Sequence, residues 1–599
     1  MVGVTSLSSM DAARLAVQAL ITGGVRQVVL APGSRSAPMS YALAEAEAVG
    51  LLRLQVRIDE RVAGFTALGL ALGSGGPAAV LTTSGTAVGN LLPAVMEANH
   101  AAVPLLVLSA DRPEELRGTG ANQTTVQLDI FGDHVRFATD VAAGTDPTTA
   151  IGTALSAAQG RLPGTPAGPV QLNLAFRDPL TPALNGSGWE LPVYEDSVES
   201  NTADADTREA NTAETDTAGA AQSAERVATA PQTVEPAPVR TGNSRRSVVV
   251  AGHGAGASAE IFARSLGLPL LAEPSSNARY GPNAIGPYRL LLEYFGAGSP
   301  QPIERVVVFG RPTLSRPVAA LLARADLERA LYLPRKVAWF EPGRRPELVL
   351  TDWDELIAFA GHGPADWLES WQIAALGAEA ALDELLTQPG PLTGLHLARA
   401  VWAQTRGNLM LGSSNPVRDV DLAGRPKPHP VPGRDTVRVF ANRGLAGIDG
   451  TVSTGGGIAL ADGASTRVLL GDLTLLHDAG GLLLGTGEPE PDLQLVVLND
   501  SGGGIFTTLE HGILAGRPRY AAAVERLFGT PHSVDLAALA AGYGVMHRSV
   551  GTTAELTAAL AEPFRGRSVL EVPAGREGLR ALHERVRQAV DQRVTRVLP

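Results

Sequence analysis

Val468-Leu469-Leu470-Gly471-Asp472-Leu473 and, after residues 474–498, Asn499-Asp500-Ser501-Gly502-Gly503-Gly504 are the two strings that decide the fold of this 599-residue chain. Each is a short apolar run that stops at a polar turn, and the interval between them is long enough for a helical crossover. Near-continuous apolar strands joined by helices indicate a parallel sheet covered on both faces. In such a sheet the ligands sit beyond the carboxyl ends of the strands, where both strings break off. Two short carboxylates there, with a backbone carbonyl freed by the glycines, form a set of hard oxygen ligands suited to Mg²⁺. Gly471 and a helix expected from near Thr474 add N–H donors for a bound diphosphate. Either turn alone reads as an ordinary solvated strand end; the pair at this spacing is what argues for a site.

Outward from these strings, further strands are expected at 409–412, 437–440, 468–471, 493–498 and 568–572. Near the N-terminus, strands at 25–30, 51–58, 78–81 and 104–108 alternate with helices at 12–21, 37–48, 61–72 and 87–100. A third alternating segment starts with the strand 247–251, which ends in Gly252-His253-Gly254-Ala255-Gly256. That spacing is not the G-x-G-x-x-G of a dinucleotide site, so a cofactor-free unit is expected. Residues 197–240 are acidic, proline-bearing and aromatic-free, and read as a disordered insertion, because such a stretch cannot bury enough apolar surface to offset its ordering entropy. The fold class is therefore α/β with three doubly wound parallel-sheet units, divided at 1–190, 191–245 (linker), 246–365 and 366–599.

Composition agrees and excludes. A chain this long exceeds one core, and 44% hydrophobic with 18% charged residues is ordinary for a globular protein. Cysteine is absent, which excludes disulfides, zinc–thiolate sites and iron–sulfur clusters. A net charge of −12 argues against wholesale nucleic-acid binding. No window is long and apolar enough for a membrane helix, and no signal peptide stands at the start, so a cytoplasmic location is expected. Lys336 and Lys427 are the only lysines, and the cations are otherwise arginines.

The motif strings APGSRSAP (31–38), DERVAGF (59–65), TTSGTA (82–87), ADRPEEL (110–116), GANQ (120–123), ANRGLAGIDG (441–450), GDL (471–473) and NDSGGGIF (499–506) occur in this order. Together they resemble the thiamine-diphosphate-dependent enzymes, and within them the 2-succinyl-5-enolpyruvyl-6-hydroxy-3-cyclohexene-1-carboxylate (SEPHCHC) synthase family of menaquinone biosynthesis. The resemblance implies a pyrimidine-binding first unit, a central unit, and a diphosphate-binding third unit. It implies that Asp472, Asp500 and the Gly502 carbonyl hold Mg²⁺ or Mn²⁺, and that Gly471, Leu473, Ser84, Gly85 and Thr86 touch thiamine diphosphate. Leu473 and Asp500 stand where the wider superfamily carries Gly and Asn; an aspartate keeps an oxygen ligand and adds charge. Glu60 is assigned to protonate N1′ of the aminopyrimidine, although an Asp-Glu-Arg at a helix start is, taken alone, an ordinary capping feature. Ile448 would wedge the cofactor into its bent form, with Ile505, Phe506 and Leu509 lining the pyrimidine pocket.

The same resemblance implies two carboxylate-rich substrates, 2-oxoglutarate and isochorismate, and arginine is the side chain that binds carboxylates bidentately. Ser414 and Arg418 would hold the distal carboxylate of 2-oxoglutarate. Arg35, Arg112, Arg316 and Arg443 would face isochorismate, with Gln123 near the reacting centre. The implied reaction is decarboxylation of 2-oxoglutarate and conjugate addition of the succinyl semialdehyde unit to isochorismate. A homodimer or homotetramer with active sites between subunits is also implied. Two other readings are weighed: a different thiamine-diphosphate carboligase such as an acetohydroxyacid synthase, and a degenerate cofactor-binding sensor or scaffold. The arginine-rich loops and the missing nucleotide fingerprint oppose the first; intact Glu60, Asp472 and Asp500 oppose the second.

Overall fold

In the computed structural model residues 6–183, 244–430 and 437–598 are described. The 197–240 insertion expected to be disordered lies outside the described residues. Three all-parallel sheets carry the chain. The first orders its six strands Arg53–Val56, Gln27–Leu30, Ala78–Thr82, Leu105–Asp111, Val170–Ala175 and Ala138–Val141. The central sheet has five strands, running Leu348–Leu350, Glu328–Tyr332, Arg305–Phe309, Ser247–Ala251 and Leu270–Ala272. The third has six, Arg438–Phe440, Asn408–Leu411, Thr466–Gly471, Leu493–Asn499, Arg567–Pro573 and Met546–Ser549.

The inner strands are buried along their whole length, as in Ala78–Thr82 and Ser247–Ala251, because helices cover both faces. Each sheet has its own apolar core, and the central one is built on Val248–Val250, Val306–Val308, Phe262 and the stacked Phe295 and Trp371, which Trp367 meets edge-on. No helix among the described residues is long and apolar enough to cross a membrane.

Two departures from the sequence reading have simple causes. The helix expected over 87–100 is two, Thr86–Gly89 and Leu92–Ala101, since Pro93 cannot donate the N–H that would continue a single one. The helix expected from Thr474 begins at Asp472, so the carboxylate itself stands in the first turn.

The first and third units meet through helices Glu60–Ser74 and Thr451–Asp462, which touch backbone to backbone. A Cβ on Gly69 would lie 2.1 Å from the Thr454 carbonyl oxygen, and one on Gly457 2.2 Å from that of Thr66. Glycine is required there by close approach, and this crossing fixes where Glu60, the first residue of its helix, sits.

Candidate active site

Strands Thr466–Gly471 and Leu493–Asn499 are sheet neighbours, with Gly471 opposite Leu498. The two deciding strings therefore leave the sheet side by side. Asp472 is buried, and its Oδ2 accepts hydrogen bonds from Gly502 N (2.9 Å) and His532 Nε2 (3.0 Å). Val534 N donates to His532 Nδ1 at 3.2 Å, which leaves the ring proton on Nε2 to be given to Asp472. Asp500 is pushed up to about 7 by burial and then by the charge of Asp472, against the opposing pull of Arg576 and the Gly504 and Gly502 N–H groups. Two crowded carboxylates in a dry site are what a divalent cation relieves. Gly502, at φ +152°, has room for no side chain, since a Cβ would come 2.3 Å from Gly529 O. Its carbonyl accepts one bond, from Gly504 N at 3.2 Å, and keeps a second lone pair.

One expected donor is not free. The Gly471 N–H, read as a diphosphate ligand, is taken by Ser414 Oγ at 3.1 Å. A cavity of about 320 Å³ opens beside these groups, lined by Gly394, Asn415, Leu498, Asp500 and Ala574. Among the described residues no three His, Asp or Glu side chains form a cage able to hold a metal unaided. Two carboxylates and a carbonyl instead fit Mg²⁺ that completes its shell with phosphate oxygens and water.

Around this centre Arg418, on helix Asn415–Ala423, donates to Ser414 O at 3.2 Å. Arg443 is 4% exposed and donates to Thr313 O (3.1 Å) and Thr313 Oγ1 (2.6 Å) in the central unit. Burial holds both guanidiniums below their usual range, and Arg443 adds repulsion at Arg418. Ile448 lies half-buried in the loop before helix Thr451–Asp462, and Ile505, Phe506, Leu509 and Leu473 are likewise half-buried. The Phe506 ring packs against His511 and Phe528.

The N-terminal unit supplies a second group of residues at its own strand ends. Asp59 caps helix Glu60–Ser74 by accepting from Arg61 N and Val62 N, which releases Glu60 from that duty. Glu60 Oε2 instead accepts from Asn90 Nδ2 at 3.2 Å. Ser84, Gly85 and Thr86 follow strand Ala78–Thr82; Gly85 has φ +76° and packs on Gln123, itself at φ +54°. Arg112 Nη1 reaches both Ser84 Oγ (2.8 Å) and Gln123 O (3.1 Å), and Arg35 donates to Phe176 O at 3.0 Å. Burial lowers Arg35, and the charge of Arg112 contributes.

Arg316 stands apart. It makes a bidentate ion pair with Glu510 (2.6 and 3.0 Å), both side chains about two-thirds exposed. Among the described residues, no ion pair forms at Arg35, Arg112, Arg418 or Arg443. Nor does any hydrogen bond or ion pair within the chain join Glu60, Arg112 or Gln123 to Ser414, Asp472 or Asp500. Sequence reasoning missed His532, Asn90 and Arg576, which no spacing rule marks out.

Residues 10–132 match the thiamine pyrophosphate enzyme family, N-terminal TPP binding domain. Over 595 residues, 99% of each chain, the protein is 59% identical to 2-succinyl-5-enolpyruvyl-6-hydroxy-3-cyclohexene-1-carboxylate synthase of Paenarthrobacter aurescens. The chain belongs to that synthase family. It is 60% identical to the synthase of Arthrobacter sp. over 598 residues (100% of this chain, 94% of that one), and 59% identical to that of Renibacterium salmoninarum, covering 99% of both. Among solved structures, benzoylformate decarboxylase from Polynucleobacter necessarius superposes with a TM-score of 0.62 at 16% identity, covering 94% of this chain and 99% of that one. A putative thiamin diphosphate-dependent enzyme from Mycobacterium smegmatis gives 0.61 at 17%, covering 95% and 100%. These structures share the fold; membership of the synthase family rests on the sequence relatives. The protein is thus a thiamine-diphosphate-dependent enzyme of three parallel α/β units.

Proposed function

We propose that the chain is a SEPHCHC synthase, joining 2-oxoglutarate to isochorismate with loss of CO₂, in menaquinone biosynthesis. The observation that carries the substrate assignment is the set of four arginines, Arg35, Arg112, Arg418 and Arg443, that line the two groups without a carboxylate partner of their own. Arg443 is buried and the other three are partly so. A guanidinium withdrawn from water without a counter-charge is costly in proportion to that burial, a need that bidentate pairing with substrate carboxylates meets. The family relationship to the named synthases supports the same reading.

Thiamine diphosphate, when bound, supplies the carbon nucleophile and the electron sink for decarboxylation. The rest falls to the protein. Asp472, Asp500 and the Gly502 carbonyl hold Mg²⁺, or Mn²⁺, against the diphosphate, and His532 fixes the Asp472 carboxylate. Glu60 holds a proton at N1′ of the aminopyrimidine, and Asn90 orients it. Ile448 wedges the cofactor, with Ile505, Phe506 and Leu509 around the pyrimidine ring. Ser414 and Arg418 take the distal carboxylate of 2-oxoglutarate; Arg35, Arg112 and Arg443 take isochorismate, with Gln123 beside the reacting carbon. Arg316 joins them on parting from Glu510.

The enzyme works as a homodimer at least, with Glu60 of one copy facing the two aspartates of another. In support, no hydrogen bond or ion pair among the described residues joins the two groups, and Ile58 (68% exposed), two residues before Glu60, and Val126 (75%), three after Gln123, lie bare. A fully monomeric preparation that is active would remove this part. The decisive experiment is incubation with 2-oxoglutarate, isochorismate, Mg²⁺ and thiamine diphosphate, with the product identified by mass. CO₂ release from pyruvate but not from 2-oxoglutarate would point instead to an acetohydroxyacid-type carboligase.

A further inference from the structure

Glu97 has no part in the chemistry above, yet it is a carboxylate only 5% exposed. Among the described residues no arginine, lysine or histidine hydrogen-bonds to it. Its two oxygens instead each accept a backbone N–H from the far end of the chain: Gly444 N to Oε1 at 2.6 Å and Leu445 N to Oε2 at 2.7 Å. The carbonyl of Gly444 accepts from Arg311 of the central unit. One short stretch of backbone is thus gripped by the first unit through its N–H groups and by the second through its C=O. The approach is tight, since a Cβ on Gly444 would lie 2.6 Å from Glu97 O and 2.9 Å from Glu97 Oε1.

A buried carboxylate is expensive unless hydrogen-bonded, and this one is held by two peptide donors with the charges of Arg311 and Arg443 nearby. A plain inter-unit strut would not need so demanding a group. The gripped peptide follows Arg443 directly and precedes Ile448 by three residues. Those are the arginine read as binding isochorismate and the wedge read as bending the cofactor.

We propose that Glu97 is a positioning residue for the 443–450 loop, setting at one point both the reach of Arg443 and the depth of the Ile448 wedge. This rests on the reading of that loop given under the proposed function. The probe is Glu97→Gln, which keeps the shape but offers one acceptor and one donor, so one of the two peptide N–H groups is left facing an N–H.

The full chain is assayed with Mg²⁺ and thiamine diphosphate, and the affinity for thiamine diphosphate is measured separately by titration calorimetry at saturating Mg²⁺. For the variant we expect isochorismate KM to rise, and coenzyme affinity to fall, by about tenfold each, the scale of one lost charge-assisted hydrogen bond. The KM for 2-oxoglutarate stays within about threefold, because Ser414 and Arg418 are not on the loop. A lower melting temperature with isochorismate KM and coenzyme affinity both within twofold of wild type would reduce Glu97 to a strut and overturn the proposal. If Glu97→Gln does not fold, Glu97→Asp, which keeps both acceptors one methylene short, is read by the same criteria. Wild-type protein that binds no thiamine diphosphate would instead bring down the reading of the site, and the proposal with it.

Discussion

Gly69→Ala puts the geometry of the unit junction to a test whose sign is decided by two competing effects. Alanine is the better helix former by about 1 kcal/mol, so propensity alone makes the substitution stabilising. Against it, the new methyl group would stand 2.1 Å from Thr454 O, 2.9 Å from Thr454 C and 3.0 Å from Gly457 Cα. All three are backbone atoms, so no side chain can rotate away. Carbon–oxygen contacts start near 3.3 Å, so helices Glu60–Ser74 and Thr451–Asp462 must part by about 1 Å. Overpacking of this kind costs roughly 1–3 kcal/mol, and a clash against rigid backbone belongs at the upper end, giving a net loss of about 2 kcal/mol.

Urea denaturation at fixed protein concentration, without ligands, reads this as a lower midpoint at unchanged slope. Gly152→Ala is the internal control: Gly152 is exposed in helix Thr148–Ala158 with nothing within 4 Å of its added Cβ, so a gain of about 0.4–1 kcal/mol is expected. Because Glu60 begins the displaced helix, turnover should also fall, by up to ~10²-fold for a 1 Å shift of a catalytic group. If Gly69→Ala is as stable as wild type while the control behaves, the two helices do not approach as described and the argument fails.

Glu60→Gln should lower turnover by at least ~10²-fold with fold and coenzyme binding intact; near-normal turnover would place the acid elsewhere. Asp500→Asn keeps an oxygen ligand but loses a charge, so calorimetry should show Mg²⁺-dependent coenzyme binding weakened by about tenfold, while Asp472→Ala or chelation abolishes it. Coenzyme binding indifferent to chelator would contradict the assignment of both aspartates. Asp478, which accepts from Ser453 N (2.8 Å) and Ser453 Oγ (3.0 Å), is pushed by burial up to about 6. An unfolded aspartate titrates near 3.9, so the folded chain binds the extra proton between about pH 4 and 6, and this group's contribution to stability falls as pH rises through that window. Asp478→Asn should flatten that part of the stability–pH curve, and an unchanged slope in denaturant melts would show that the carboxylate is already ionised.

The sequence disclosed what chemistry restricts to a few residue types. Strands Ser247–Ala251 and Leu493–Asn499 were legible because burial on both faces demands uninterrupted apolar runs, and helix Ala37–Ala48 falls on its expected bounds. The break in helix 87–100 comes from Pro93, but the apolar pattern continues across it and so reads as one helix. The edge strand Met546–Ser549 was invisible for the opposite reason: Met546 and its neighbours are largely exposed and carry no apolar run. In the candidate site, Glu60, Asp472 and Asp500 stood out through residue type and motif. Their supports did not: Asn90, His532 and Glu97 act across 30, 60 and 347 residues, and only the tertiary fold brings such pairs together.

The arginines show how a chain with an excess of acid can still present free cations. With net charge −12, carboxylates are plentiful, and Arg117, Arg177, Arg246 and Arg305 each find one. The four arginines at the candidate site are instead hydrogen-bonded to carbonyls and hydroxyls, which orient a guanidinium without neutralising it. Partners of that kind leave the charge available to a substrate carboxylate, and partial burial strengthens the resulting pair by lowering the local dielectric. Arg316 follows a different rule. Its pair with Glu510 is exposed, and exposed pairs are worth only about 0–1 kcal/mol, so parting from Glu510 costs little. The ion pair with Glu510 is therefore too weak to decide by itself whether Arg316 takes the role proposed for it.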